Sequence, residues 1–173
     1  MDKVFLEINE KLRRQYEGSS EAWKDSPFAW IRNQPSRRVG KIGEKLVEQW
    51  LEERGFTVRA SKNSDFDRYV EGVKLEIKFS TLWEGGFYKF QQIRNQEYDY
   101  LFCLGISPRE VHGWVIPKDI ALERSEGQHT GKAAVDTKWL TVYPQNVVDW
   151  LRPYGGTLEF AEGVLRKLLE KAK

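Results

Sequence analysis

One cysteine and two histidines in 173 residues leave little room for several kinds of chemistry. A lone Cys103 can form neither an internal disulfide nor a cysteine-cluster zinc site, and it fits a reducing compartment. His112 and His129 lack the spacing of a zinc-binding pair. Charge of one sign is also missing: 28 Lys and Arg stand against 26 Asp and Glu, a net charge of +2. That balance excludes an overall polycation, although a basic patch can sit inside a balanced total. No apolar run approaches the ~20 residues that span a bilayer. Met1-Asp2-Lys3-Val4-Phe5-Leu6-Glu7 carries charges where a signal peptide needs an apolar stretch, so a cytoplasmic, non-secreted protein with no membrane partner is expected. Internal repeats and low-complexity tracts are absent. What is present is 40% hydrophobic residues, with seven Trp, seven Tyr and nine Phe. Such aromatic wealth argues against disorder, and the length suits one core and one domain, 1–173.

Residues 2–17 read as a helix whose Val4, Phe5, Ile8 and Leu12 form one buried stripe. Residues 18–36, with Pro27, Pro35, Trp23, Phe28, Trp30 and Ile31, read as an ordered connector packed by aromatics. A helix is expected from Ser36, as N-cap, to Arg54, with Gly55 as its stop. Val39, Ile42, Leu46, Val47, Trp50 and Leu51 make its apolar stripe. Arg37, Arg38, Lys41 and Lys45 project elsewhere, either as a solvated face or as phosphate contacts. Strands are expected at 56–61, 65–70, 73–80, 98–106, 111–116 and 138–143. Helices are expected at 87–96, 144–151 and 157–171. The alternation predicts an α/β fold, a mixed central sheet flanked by helices, with an N-terminal helical extension.

The chemistry concentrates in Ser64-Asp65-Phe66-Asp67-Arg68-Tyr69-Val70-Glu71-Gly72-Val73-Lys74-Leu75-Glu76-Ile77-Lys78-Phe79-Ser80. If Glu71-Gly72 is a two-residue turn, Val70 faces Val73, Asp67 faces Glu76 and Asp65 faces Lys78. Side chains alternate along a strand, so Asp65, Asp67, Glu76 and Lys78 share one face and Val70, Val73, Leu75, Ile77 and Phe79 the other. Arg68 falls awkwardly on the apolar face. Facing carboxylates repel unless a cation lies between them, and paired carboxylate oxygens suit Mg²⁺. Spacing alone leaves a second reading open, a solvent-facing strand pair with Asp65–Lys78 and Glu76–Lys74 ion pairs.

Asp67 followed by Glu76-Ile77-Lys78 resembles the Asp…Glu-x-Lys signature of the PD-(D/E)xK, or restriction-endonuclease-like, nuclease superfamily. Gly40-Lys41-Ile42-Gly43-Glu44-Lys45-Leu46-Val47, then Gly55-Phe56-Thr57-Val58, is similar to the glutamate-bearing helix that precedes the family's strands. Ser80 matches the small polar residue closing the central strand, and Gln91-Gln92-Ile93-Arg94 is placed for the glutamine-bearing helix that follows. The resemblance spans residues 37–116, the expected catalytic core. It leaves 1–36 as an N-terminal helical segment and 117–173 as a C-terminal strand and helices.

The resemblance implies that Asp67 and Glu76, with Ile77, hold Mg²⁺ (Mn²⁺ as substitute), that Lys78 assists the attacking water, and that Glu44 reaches toward it. Asp65 is the rival aspartate, because Ser64-Asp65 stands where the family has Pro-Asp. Gln91, Gln92, Arg37, Arg38, Lys41, Lys89 and Arg94 are the expected DNA contacts. His129-Thr130-Gly131-Lys132 is a surface loop, and Cys103 a buried structural residue. The implied protein is a Mg²⁺-dependent endonuclease on double-stranded DNA, nearest a type II restriction enzyme acting as a homodimer and leaving a 5′-phosphate. The alternatives are a structure-specific repair nuclease, such as a junction resolvase or nickase, and a non-catalytic nucleic-acid-binding module.

Overall fold

Glu71 and Gly72 both have positive φ, 50° and 85°. That is the type I′ geometry, whose twist matches the strands it joins. It sets Val70 against Val73 and Arg68 against Leu75, the register the sequence predicts. The computed structural model describes residues 2–16, 21–127 and 137–173. In chain order the elements are α1 (Lys3–Tyr16), α2 (Ala29–Arg32), α3 (Ser36–Glu53), β1 (Val58–Ala60), β2 (Arg68–Val70), β3 (Val73–Thr81), β4 (Tyr88–Ile93), β5 (Tyr100–Ile106) and β6 (Val111–Pro117). They continue with α4 (Lys118–Arg124), β7 (Glu126–Gly127), β8 (Lys138–Val142), β9 (Gly155–Thr157) and α5 (Leu158–Lys171).

A six-stranded mixed sheet runs β1-β2-β3-β5-β6-β9, and a three-stranded sheet runs β4-β8-β7. Only β3 and β5 are parallel within these ladders. Parallel strands are covered on both faces and read as near-continuous apolar runs, as Leu101 to Ile106 do. One face of the large sheet presents Val70, Leu75, Ile77, Phe102, Leu104 and Val115 to α3 and α5, with Trp23 and Ile31 completing the core. The other presents Leu101, Cys103, Trp114 and Ile116 to Tyr88, Phe90, Leu140 and Val142 of the small sheet and Ala121 of α4. No helix among the described residues is long and apolar enough to cross a membrane.

Several expectations are corrected. The α1 helix forms, yet Val4, Phe5, Ile8 and Leu12 are exposed, and among the described residues their stripe joins neither core cluster. Pro35 occupies the N-cap position of α3 and Ser36 is its first helical residue; Gly55 ends it with φ 86°. Residues 87–96 are not helical. Tyr88 and Phe90 point inward at strand period and pair with Val142 and Leu140, and a register shift then restores Ile93 to the interior. Residues 144–151 form turns, closed by Asn146 N–H to Tyr143 C=O and Leu151 N–H to Val148 C=O. The last helix starts at Leu158, where Thr157 Oγ1 accepts from Phe160 N–H. The short elements α4, β7 and β9 lie in stretches without a periodic signal.

A glycine decides how closely α3 approaches β3. A Cβ on Gly43 would lie 2.3 Å from the Phe79 Cβ, and it is this approach that carries Glu44 to the end of the hairpin. Overpacking costs about 1–3 kcal/mol, more than the roughly 1 kcal/mol that alanine gains over glycine inside a helix. Gly43→Ala is therefore expected to lower the urea midpoint. Gly40→Ala, with open space around the new methyl, is expected to raise it.

Candidate active site

Asp67 sits where the β2–β3 ladder ends. Its N–H still donates to Leu75 C=O at 3.0 Å. Beyond that point its carboxylate takes over the pairing, as Oδ2 accepts from Ile77 N–H at 2.7 Å. In a strand the N–H and C=O of one residue point the same way, so the Ile77 carbonyl faces the Asp67 side of β3. Glu76 and Lys78 flank Ile77 and point to the opposite sheet face from it. Their side chains meet, Lys78 Nζ lying 2.7 Å from Glu76 Oε1.

Glu44 approaches from α3. Its carboxylate lies 3.7 Å from Arg68 Nη1 and 3.8 Å from Lys41 Nζ. Arg68, the awkward residue of the hairpin, is the clasp of this corner. It is held by Glu48 through Nε at 2.9 Å and Nη2 at 2.8 Å, and its Nη1 donates to the Asp67 carbonyl at 2.8 Å. Sequence reading missed both Arg68 and Glu48 as parts of the site. The available signal was a cation on an apolar strand face opposite a glutamate-bearing helix.

The electrostatics follow from this packing. Burial pushes the Glu76 carboxyl up to about 7; Lys78 pulls it down and Asp67 pushes it up again. The ion pair with Lys78 does not reverse the shift, because desolvation of a carboxylate outweighs one neighbouring cation here. Glu44 is likewise raised, first by burial and then by Asp67, against the pull of Lys41, Arg68 and Lys78. Among the described residues no group of three or more His, Cys, Asp or Glu side chains could hold a metal. The donor set at this corner is two carboxylates and a backbone carbonyl, all hard oxygens, and that chemistry fits Mg²⁺ with the remaining positions left to water or substrate.

Other expected residues are placed differently. Asp65 lies in the loop before β2, its N–H donating to Asn63 Oδ1. The ion pairs of the alternative, solvent-facing reading are not those found: Lys78 pairs with Glu76 and Lys74 meets Glu97 at 3.8 Å. Arg37, Arg38 and Lys41 are exposed on α3, Arg38 bonding Gln34. Gln91 and Gln92 are exposed on strand β4 where a helix was expected, Gln92 with φ 56° at the register shift. Lys89 Nζ lies over the rings of Trp83 and Trp139. Arg94 is exposed beyond β4, and its carbonyl accepts from Tyr98 Oη. His112 Nδ1 bonds Tyr88 Oη at 2.8 Å. Cys103 is buried, and burial pushes its thiol up. The 129–132 loop lies outside the described residues.

No family model and no curated protein matches the chain. Among solved structures, the fold is similar to that of a bacterial homing endonuclease, I-Ssp6803I. The TM-score is 0.52 at 14% identity, covering 80% of this chain and 99% of that one. A mixed α/β fold of that kind is therefore shared, with little of the sequence.

The Glu76 shift has a consequence for stability. A carboxyl whose folded pKa is raised binds a proton more readily in the native state than in the unfolded one, so folding loses stability as pH rises from about 4.5 to about 7. Without divalent metal, urea unfolding is expected to show lower stability at pH 8 than at pH 5. Glu76→Gln should be the more stable protein at pH 8, with the difference between the two pH values reduced.

Proposed function

We propose that the protein is a Mg²⁺-dependent endonuclease of the PD-(D/E)xK kind, hydrolysing phosphodiester bonds in double-stranded DNA. The observation that carries this reading is the convergence of Asp67, Glu76 and Lys78 at one hairpin end, in a fold similar to that of a homing endonuclease. Mg²⁺, or Mn²⁺ in its place, held by Asp67, Glu76 and the Ile77 carbonyl, would neutralise phosphate charge and lower the pKa of water at the site.

The chain's own residues do the rest. Glu76 fixes the Lys78 ammonium by their ion pair, and Lys78 donates to the charge building on the phosphate oxygens. Asp67 is locked in place by Ile77 N–H and, through its carbonyl, by Arg68. Glu44 orients water from the α3 side. Water attacks the phosphorus in line with the 3′ oxygen and gives up one proton to solvent; the P–O3′ bond breaks and the departing 3′ oxygen takes a proton from water, leaving a 5′-phosphate and a 3′-hydroxyl. Exposed Arg37, Arg38, Lys41, Gln91, Gln92 and Arg94 are the proposed DNA contacts; Lys89 serves better as a structural cation between its two rings. A symmetric pair of chains would cut one strand each, as a type II restriction enzyme requires. The likeness to a homing endonuclease favours a second reading, in which the site is rare instead of short and frequent.

Incubation with plasmid and phage DNA tests these readings. Cleavage is expected with Mg²⁺ or Mn²⁺ and not in EDTA, with a rate drop of roughly 100-fold or more for Lys78→Ala and for Asp67→Asn. Asp65→Asn should stay close to the parent protein. Many discrete phage fragments support the restriction reading, and cutting at rare sites supports the homing one. Intact DNA binding with no cleavage of duplex or branched substrates would overturn the catalytic assignment.

A further inference from the structure

Four cations around the hairpin end have acidic partners: Lys41 meets Glu44, Arg68 holds Glu48, Lys74 meets Glu97 and Lys78 pairs with Glu76. Arg59 of β1 and Lys62 just beyond it are different. Both are exposed, and neither forms an ion pair with any described residue, Asp65 included. The ladder fixes where they stand. Arg59 lies opposite Tyr69, and Tyr69 opposite Lys74. Side chains alternate along each strand, so Arg59 and Tyr69 share the sheet face that bears Glu76 and Lys78. Ser61 N–H donates to the Asp67 carbonyl at 3.1 Å, which runs the end of β1 alongside Asp67. Two residues along and one strand across put the Cα atoms of Arg59 and Asp67 roughly 8 Å apart.

The two cations line a shaped surface. The Arg59 guanidinium lies 5.4 Å from the centre of the Tyr69 ring. That contact restrains a long side chain, and a guanidinium resting on a ring keeps its N–H edge for an anion. Ser61 Oγ accepts from Asn63 N–H at 2.9 Å and so fixes the turn that carries Lys62. Arg59, Ala60, Lys62, Asn63 and Tyr69 enclose a concavity of about 600 Å³. The centre of the site holds more carboxylate than cation, so attraction for a phosphate chain has to come from its rim. Exposed Arg37, Arg38 and Lys41 supply it on the α3 side. We propose that Arg59 and Lys62 supply it on the β1 side, holding the backbone phosphates next to the scissile one in duplex DNA, so that the strand is gripped on both sides of Asp67. The inference rests on the nuclease reading for its ligand, and its readout is binding instead of cleavage.

Fluorescence anisotropy of a labelled duplex, titrated with the full chain in EDTA across a potassium chloride series, tests it. Each phosphate neutralised contributes about 0.9 to the slope of log K against log salt. The double variant Arg59→Ala with Lys62→Ala is expected to lower that slope by about 2, and the affinity near 100 mM salt by roughly 10- to 100-fold. Arg59→Lys keeps the charge and should keep the parent's slope. Lys167→Ala, which removes an exposed cation of α5, should change neither quantity. Because both positions are exposed, the variants should match the parent in circular dichroism and melting. A double variant with the parent's slope would overturn the proposal. So would Arg59→Lys binding as weakly as Arg59→Ala, or a parent chain that does not bind the duplex. The nuclease reading fails separately. A parent that binds with this salt dependence and never cleaves in Mg²⁺ loses the catalytic assignment alone, and a parent that cleaves while the double variant binds like it loses the β1 contact alone.

Discussion

The Asp67 carboxylate accepting from Ile77 N–H marks the point at which a backbone ladder gives way to a side chain. A hairpin continuing in register past residue 67 would turn the β3 edge into an ordinary paired edge. Because the chain departs there, with Ser61 N–H taking the Asp67 carbonyl at 3.1 Å, the Ile77 N–H needs an acceptor and finds the carboxylate. A buried donor left unpaired costs about 1–3 kcal/mol, so the constraint on Asp67 is structural before it is chemical. The same departure turns Asp65 away from Lys78, which leaves Lys78 to Glu76.

Four carboxylates, Glu44, Glu48, Asp67 and Glu76, meet at this corner and need cations, and the fold supplies them from two sides. Arg68 holds Glu48 and reaches Glu44, tying α3 to the hairpin end. Its presence on the apolar face is the cost of that tie; removing one partner of a buried ion pair is far more damaging than never having had it. Lys78 serves Glu76 from within β3. Even so, Glu76 remains a carboxyl pushed upward, because burial outweighs one ammonium group. A corner with more buried negative charge than its own cations balance is receptive to a further cation, and this links its electrostatics to its proposed use.

The second sheet completes the frame. β4 lies against the end of β3 through Lys89 N–H donating to Ser80 Oγ at 3.0 Å, and it fills the second core with Tyr88 and Phe90. Its register shift leaves Gln91 and Gln92 both outward.

Local patterning was enough for the long helices α3 and α5, for the strands around Leu75 and Leu101, and for the Glu71-Gly72 turn that places Asp67 against Glu76. Each of these is specified by neighbours within a few residues: helical spacing, a run of apolar side chains, or two positive φ angles. The identity of the helix nearest the site, and Glu44 upon it, was also legible. Other features required the tertiary structure. Residues 87–96 carry polar residues that suit a helix, and only pairing with β8, some fifty residues away, makes them a strand. Arg68 looked misplaced until Glu48 came to meet it. The apolar row of α1 read as core because periodicity measures amphipathicity and cannot say what lies opposite. Sequence by itself determined which residues carry charge and where the chain turns. Tertiary structure decided which charges meet, because burial and partnership depend on contacts between segments far apart in the chain.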